Sequence, residues 1–273
     1  RVPFVAQDGP PFEVQLSAAS AYQGGALRVR TTGSAGAATV FGRTYPLQAA
    51  GGILEGYVGF GTQDPPGPAT LVIATTAPAA DEAAIPITIL ETDWTVDYIT
   101  IPPAPPPDPD APPPPPPPPD ETNLLPRVYA GLSERRWREG WIAPLAPPLR
   151  VTGYFGEQRS FNGGPVQGHH GGTDFGADFG TPILATNAGV VVLSGHYYWR
   201  GNIVMVDHGA GVMSLYGHMQ ERAVAEGDTV AQGQTLGYVG STGLSTGAHL
   251  HWELAVRGVL VDGLRWLDGS QGF

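Results

Sequence analysis

His249-Leu250-His251-Trp252-Glu253 lies in a run, continued through Val256, that reads as a β-strand. Alternate side chains on a strand share a face, so His249 and His251 point the same way while Leu250 enters the opposite layer. Two imidazoles on one face of a strand form a candidate ligand pair. Two more short clusters extend it: His170-Gly171-Gly172-Thr173-Asp174 and Tyr216-Gly217-His218. Gly171 and Gly172 let the backbone turn tightly, so His170 and Asp174 reach one ion from a loop entering a strand. His218 ends a predicted strand and approaches from another side.

Four of seven histidines and one aspartate thus fall in spacings suited to a metal site. Zinc takes imidazole nitrogen and carboxylate oxygen, and a catalytic site uses three protein ligands plus one water position. The chain has no cysteine, so a zinc site must be built from this set. Such a site lowers the pKa of its water and polarises a carbonyl, while neutral histidines nearby handle proton and charge. Peptide hydrolysis needs both functions, so a hydrolytic metalloenzyme is the first hypothesis.

Composition narrows the alternatives. The 273 residues suffice for two modest domains, and 29 prolines with 39 glycines predict many turns and short strands. A net charge of −11 argues against nucleic acid or an anionic membrane as partner. No stretch approaches the roughly 20 apolar residues of a membrane-spanning helix. The sequence opens on Arg1, which leads to the expectation of a removed leader or anchor and of a secreted, periplasmic or envelope-associated protein.

A proline-rich linker at residues 102–121 divides the chain. Its 102–119 run is expected to adopt polyproline II, about 50 Å long if extended. The 1–101 segment carries about seven short strands between turn signals: Phe12–Ser17, Ala26–Thr32, Ala38–Phe41, Ile53–Phe60, Ala69–Ala74, Ile85–Leu90 and Trp94–Thr100. Even spacing with Gly/Pro turns reads as an antiparallel sandwich. Histidine is absent there, so the segment is read as a spacer, docking or autoinhibitory module. Residues 122–149 form a connecting segment with a short helix or turn at Ser133–Glu139. From 150 to 273 strand and turn signals return, giving an all-β fold class for the whole chain.

Residues 150–268 resemble the M23 family of zinc metallopeptidases, the lysostaphin- or LytM-type peptidoglycan endopeptidases. The resemblance rests on Gly153-Tyr154-Phe155-Gly156, His170–Phe175, Gly180-Thr181-Pro182-Ile183, Gly201–Gly209, Leu215–Met219 and Gly240–Glu253, in order and spacing. It departs at Ala248, where the family often has proline. The resemblance implies a compact antiparallel β core with a groove over zinc, with His170, Asp174 and His251 as ligands. It implies that His218 and His249 act as general base and transition-state stabiliser, in either order. The substrate implied is the peptide cross-link of bacterial peptidoglycan, attacked by a metal-activated water. The N-terminal segment resembles the immunoglobulin-like modules attached to some M23 peptidases, in Gly25–Val29 and Asp64–Ala69.

Competing readings are weaker. Adjacent strand residues face opposite ways, so only one of His169 and His170 binds; the M23 resemblance, through the spacing to Asp174, implies that it is His170. His196 and His208 lack partners at ligand spacing and are read as surface or structural. Asn162 and Tyr198 are candidate substrate contacts, against plain turn and structural roles. The run Gly227–Gly237 looks like the hairpin of a biotinyl or lipoyl carrier, but all 14 basic residues are arginine, so no acceptor lysine exists. The runner-up is a non-catalytic relative that binds and activates a wall amidase; the complete ligand set counts against it.

Overall fold

The computed structural model describes residues 2–4, 12–33, 35–75, 82–100, 116–138, 140–166, 168–269 and 271. Most of the proline-rich linker, residues 102–115, lies outside this set, as does Glu139. Strand is the dominant element in both halves, as the sequence predicts.

The N-terminal half holds β1 (Val2–Phe4), β2 (Val14–Leu16), β3 (Ser20–Tyr22), β4 (Ala26–Thr31), β5 (Ala35–Val40), β6 (Arg43–Pro46), β7 (Gln48–Ala50), β8 (Ile53–Gly59), β9 (Gly67–Thr75), β10 (Glu82–Leu90) and β11 (Val96–Ile99). Ten of these form two five-stranded sheets, ordered β1-β2-β4-β8-β7 and β3-β10-β9-β5-β6. Ile85, Ile87 and Ile89 of β10 are buried while Pro86 and Thr88 are exposed, the alternation of a sheet with one face on a core. The two sheets share that core, with Leu27, Val29 and Val58 from one and Leu71 and Ile73 from the other.

The expected strand Trp94–Thr100 does not join this sandwich. It forms β11, which pairs in parallel with β13 (Gln158–Phe161) of the C-terminal half. The short helix or turn expected at Ser133–Glu139 is also corrected: its described residues, 133–138, form neither, and the helix is α1 (Leu125–Tyr129). Pro126 sits in its first turn, where a missing amide costs nothing.

The C-terminal half continues with β12 (Val151–Gly153), β14 (Thr173–Gly176), β15 (Pro182–Leu184), β16 (Gly189–Tyr197), β17 (Gly201–Gly209), β18 (Val212–Arg222), β19 (Thr229–Val230), β20 (Thr235–Val239), β21 (His249–Val256), β22 (Val259–Val261) and α2 (Leu264–Leu267). They form one sheet with the main path β12-β14-β21-β18-β17-β16-β19. Its central strands are buried on both faces. Phe175, Tyr216, Leu250 and Trp252 pack on one face. On the other, Met205, Met213, Leu215 and Ala255 pack beneath Leu125 and Tyr129 of α1.

The two halves are not beads on a string. Val212, Leu254, Val256, Val259, Val261 and Trp266 belong to the same apolar core as the N-terminal sheets. Trp137 sits 5.1 Å from Tyr57 and 5.3 Å from Trp141, and Trp141 lies 5.2 Å from Trp266, all between ring centroids. Buried Glu55 accepts from Arg30 and from Arg135, which follows the linker, at 2.6 and 2.5 Å.

Candidate metal centre

Strand register brings two of the three expected ligands together. β14 runs antiparallel to β21 with Asp174 directly opposite His251 and Phe175 opposite Leu250. Facing residues of a strand pair project to the same side, so the Asp174/His251 pair sits on one face and the Phe175/Leu250 pair enters the core. His170, in the loop leading into β14, closes the set. His170 Nε2, Asp174 Oδ1 and His251 Nδ1 lie 2.8 to 3.2 Å apart. All three residues are buried and offer ligand atoms to one point.

The outer partners fix which atoms face inward. His170 Nδ1 donates to the Tyr154 carbonyl at 2.9 Å, leaving a lone pair on Nε2. His251 Nε2 donates to the Glu253 carboxylate at 2.9 Å, leaving a lone pair on Nδ1. The second oxygen of Asp174 takes Arg159 Nη2 at 2.7 Å, so Oδ1 alone faces the histidines. With neutral imidazoles, three electron pairs then meet with no proton between them, an arrangement that calls for a cation. Tetrahedral zinc with bonds near 2.0–2.1 Å sets ligand atoms about 3.3 Å apart, so the triangle is slightly contracted from that geometry. The donor set fits the ion.

The close packing explains a glycine of the motif. A Cβ on Gly153 would meet Asp174 Oδ2 at 2.8 Å and Arg159 Nη2 at 2.9 Å, so only glycine lets that ion pair form.

His218 reaches the site by a different device. Gly217 lies opposite His251 in the β18–β21 register. Regular alternation would therefore send His218 to the far side with Tyr216. Between β17 and β18, however, Asn202 pairs Met219 while Val204 pairs Tyr216, one extra residue on β18. His218 takes up that extra residue with φ 59°, a left-handed conformation rare for a side-chain-bearing residue. Bulges re-aim side chains in this way. The predicted strand end is thus corrected: β18 runs on to Arg222, and a bulge rather than a strand end presents His218.

His218 and His249 stack with ring centroids 4.6 Å apart. His218 Nδ1 donates to the Thr242 carbonyl at 2.7 Å and His249 Nδ1 to the Gly247 carbonyl at 2.8 Å, so each Nε2 is free of its backbone partner. His249 Nε2 lies 3.9 Å from Asp174 Oδ1. Burial, reinforced by His251 and His249, pushes the His218 pKa down to about 3 and keeps its imidazole neutral. Burial likewise lowers the pKa of His170. For His251 burial opposes protonation, but the bonds to Asp174 and Glu253 outweigh it and raise its pKa, marking it as a strong base toward a proton or a metal.

The remaining candidates lie elsewhere. His169 Nδ1 bonds the Gly156 carbonyl at 2.8 Å and its ring meets Trp94 edge-on, away from the triad. His196 bonds Asn202 at 2.9 Å. His208 is fully buried between the Ala188 carbonyl and Ser214 Oγ, at 2.9 and 2.7 Å. Asn162 follows β13 with φ 52° and donates its amide to the Ile99 carbonyl. Tyr198 is exposed, packs against Trp199 with centroids 4.9 Å apart, and donates its amide to the Pro119 carbonyl. Neither joins the ligand cluster.

Sequence reasoning did not single out Arg159, Arg200, Glu121 or Tyr129. Arg159 lies fifteen positions before Asp174, and the contact depends on β12, β13 and β14 meeting in three dimensions. An arginine beside a glycine-rich motif gave no local signal of that contact.

Residues 168–263 match Peptidase family M23. Peptidoglycan DD-endopeptidase ShyA of Vibrio cholerae is 36% identical over 122 residues, covering 45% of this chain and 28% of that protein. DD-carboxypeptidase/endopeptidase Mpg of Neisseria meningitidis is 45% identical over 89 residues, covering 33% and 20%. The chain spans less than a third of the length of these curated relatives. Both halves align with the crystal structure of a peptidase M23 from Pseudomonas aeruginosa, with a TM-score of 0.65 and 25% identity over 90% of this chain and 94% of that one. The segment that matches Peptidase family M23, residues 168–263, holds all three members of the triad.

Proposed function

We propose that this protein is a zinc-dependent endopeptidase that hydrolyses peptide cross-links of bacterial peptidoglycan. One observation carries the reading: His170, Asp174 and His251 offer three ligand atoms to a single point, with two further imidazoles stacked beside it. A zinc ion held by these three residues supplies a Lewis acid and a water of lowered pKa. A relative whose name specifies peptidoglycan DD-endopeptidase activity supports the substrate class.

His218 and His249 divide the remaining work. Each is oriented by a backbone carbonyl on Nδ1, so each offers Nε2 to the site. One accepts a proton from the attacking water; the other, once protonated or donating, stabilises charge on the scissile carbonyl oxygen. A neutral His218 neither repels the cation nor lacks a free lone pair. Arg159 holds Asp174 in a one-oxygen pose.

Asn162 and Tyr198 are assigned to substrate contact from the two loops that carry them. The N-terminal module, read as immunoglobulin-like over residues 1–101, positions the 150–273 unit on its substrate, with residues 102–121 as linker and 122–149 as connecting segment. A wall substrate places the protein outside the cytoplasm, secreted, periplasmic or attached to the envelope. The test is to load the purified full chain with zinc, measure stoichiometry, and follow peptide release from purified sacculi by mass spectrometry. One zinc per chain with cleaved cross-links is expected; intact sacculi at full zinc occupancy would refute the enzymatic reading.

A further inference from the structure

The M23 match begins at residue 168, yet the support of its metal ligand reaches back to residue 121. Glu121, at the end of the proline-rich stretch, is fully buried. Its carboxylate accepts the backbone N–H of Trp199 at 3.2 Å and of Arg200 at 2.9 Å, and the Arg200 guanidinium at 3.4 Å. The same guanidinium donates Nε and Nη2 to Glu253 Oε1 at 2.7 and 2.6 Å. Glu253 is fully buried too; it accepts Tyr129 Oη at 2.5 Å and His251 Nε2 at 2.9 Å. The Arg200 carbonyl accepts the His218 N–H at 2.7 Å.

We propose that Arg200, clamped between Glu121 and Glu253, is a positioning residue for the metal site. It sets the His251 ring through Glu253 and holds the bulged backbone of His218 through its own carbonyl. The proposal rests on the reading of His170, Asp174 and His251 as metal ligands.

The physics favours this role over simple packing. A metal-ligating imidazole is oriented by the acceptor on its other nitrogen. Glu253 can serve as that acceptor only if its own rotation is stopped, and Arg200 with Tyr129 occupies both oxygens. Buried carboxylates without such partners are strongly disfavoured. Glu121 is what holds the arginine: the fork needs one anion on each side, which a planar guanidinium satisfies and an ammonium does not. Across Glu121, Glu253 and Asp174 against Arg200 and Arg159, one net negative charge remains for a divalent cation to offset. The metal-binding unit therefore includes residues 119–130, since the Pro119 carbonyl takes the Tyr198 amide and α1 supplies Tyr129.

The experiment compares the full chain with Arg200→Lys and Glu121→Gln. Zinc affinity is measured by competition with a chromophoric chelator, the visible spectrum is recorded with cobalt in place of zinc, and thermal unfolding is followed in parallel. Zinc affinity is expected to fall about 10-fold in Glu121→Gln and toward 100-fold in Arg200→Lys, with a shifted cobalt spectrum. Should Arg200→Lys fail to fold, Glu121→Gln decides alone. Folded variants that melt earlier but keep parental zinc affinity and cobalt spectrum overturn the positioning role. Failure of the parent itself to bind zinc would overturn the metal reading instead.

Discussion

Asp174 stands directly opposite His251 across the β14–β21 pair. A single strand register therefore sets the spacing of two metal-facing donors, and a one-residue slip of β14 would turn Asp174 toward the core and part it from His251. His170 then needs only a short loop to complete the triangle. This is why donors 77 positions apart in the chain meet at 2.8 Å.

Asp174→Asn keeps the shape of the side chain but removes its charge and leaves Arg159 facing a neutral amide. Zinc affinity is expected to fall by more than about 100-fold, beyond what loss of an outer partner costs. Isothermal titration calorimetry reads this directly; an affinity within tenfold of the parent would remove Asp174 from the ligand set.

His218 is held at φ 59° on the bulge of β18. His218→Ala and His218→Gly should both retain one zinc per chain while losing about 100- to 10,000-fold in kcat. They should differ in stability: glycine accepts the left-handed backbone, so the glycine variant is expected to be about 1 kcal/mol more stable than the alanine variant. Urea denaturation of the pair checks the strain; equal stabilities would argue against it.

His208 supplies a pH dependence away from the metal. Burial pushes its pKa from 6.5 down to about 4. As pH falls below 6.5 the unfolded chain takes a proton at this position while the folded chain stays neutral, so stability drops until about pH 4 and no further from this group. The full effect is about 3 kcal/mol. His208→Phe should flatten the stability profile between these limits, measured by denaturant titration at pH 7, 5.5 and 4. An unchanged slope would contradict the assignment.

Trp266 bridges the two halves, with Tyr57 on one side and Trp141 on the other. Trp266→Ala should cost about 3–5 kcal/mol. Because the core is shared, calorimetry of the parent should give one unfolding transition, and two well-separated transitions would show the halves to be independent.

Much of the site was legible because its chemistry is local in sequence. The alternation of His249, Leu250 and His251, and the step from His170 to Asp174, report strand parity and a tight turn without reference to the rest of the chain. Seven of the eleven N-terminal strands were legible for the same reason, while the short β1, β3, β6 and β7 were not. What escaped was non-local. The bulge at His218 depends on a mismatch between β17 and β18, which no period in β18 reveals. The strand expected at Trp94–Thr100 does exist, but its partner is β13, some sixty residues later. Arg159, Arg200 and Glu121 act through ion pairs across separate elements, and a charged residue in a turn-rich sequence does not announce a buried partner. The shared core was hidden as well, since a proline-rich stretch suggests separation while Trp137, Trp141 and Trp266 join the halves.

X-ray absorption at the zinc edge of the fully loaded chain tests the central claim most directly. Two imidazole nitrogens and one carboxylate oxygen near 2.0–2.1 Å, with one further light atom from solvent, are expected, and this signature should vanish in His170→Ala and His251→Ala. Zinc retained with the same ligand shell in either variant would contradict the account.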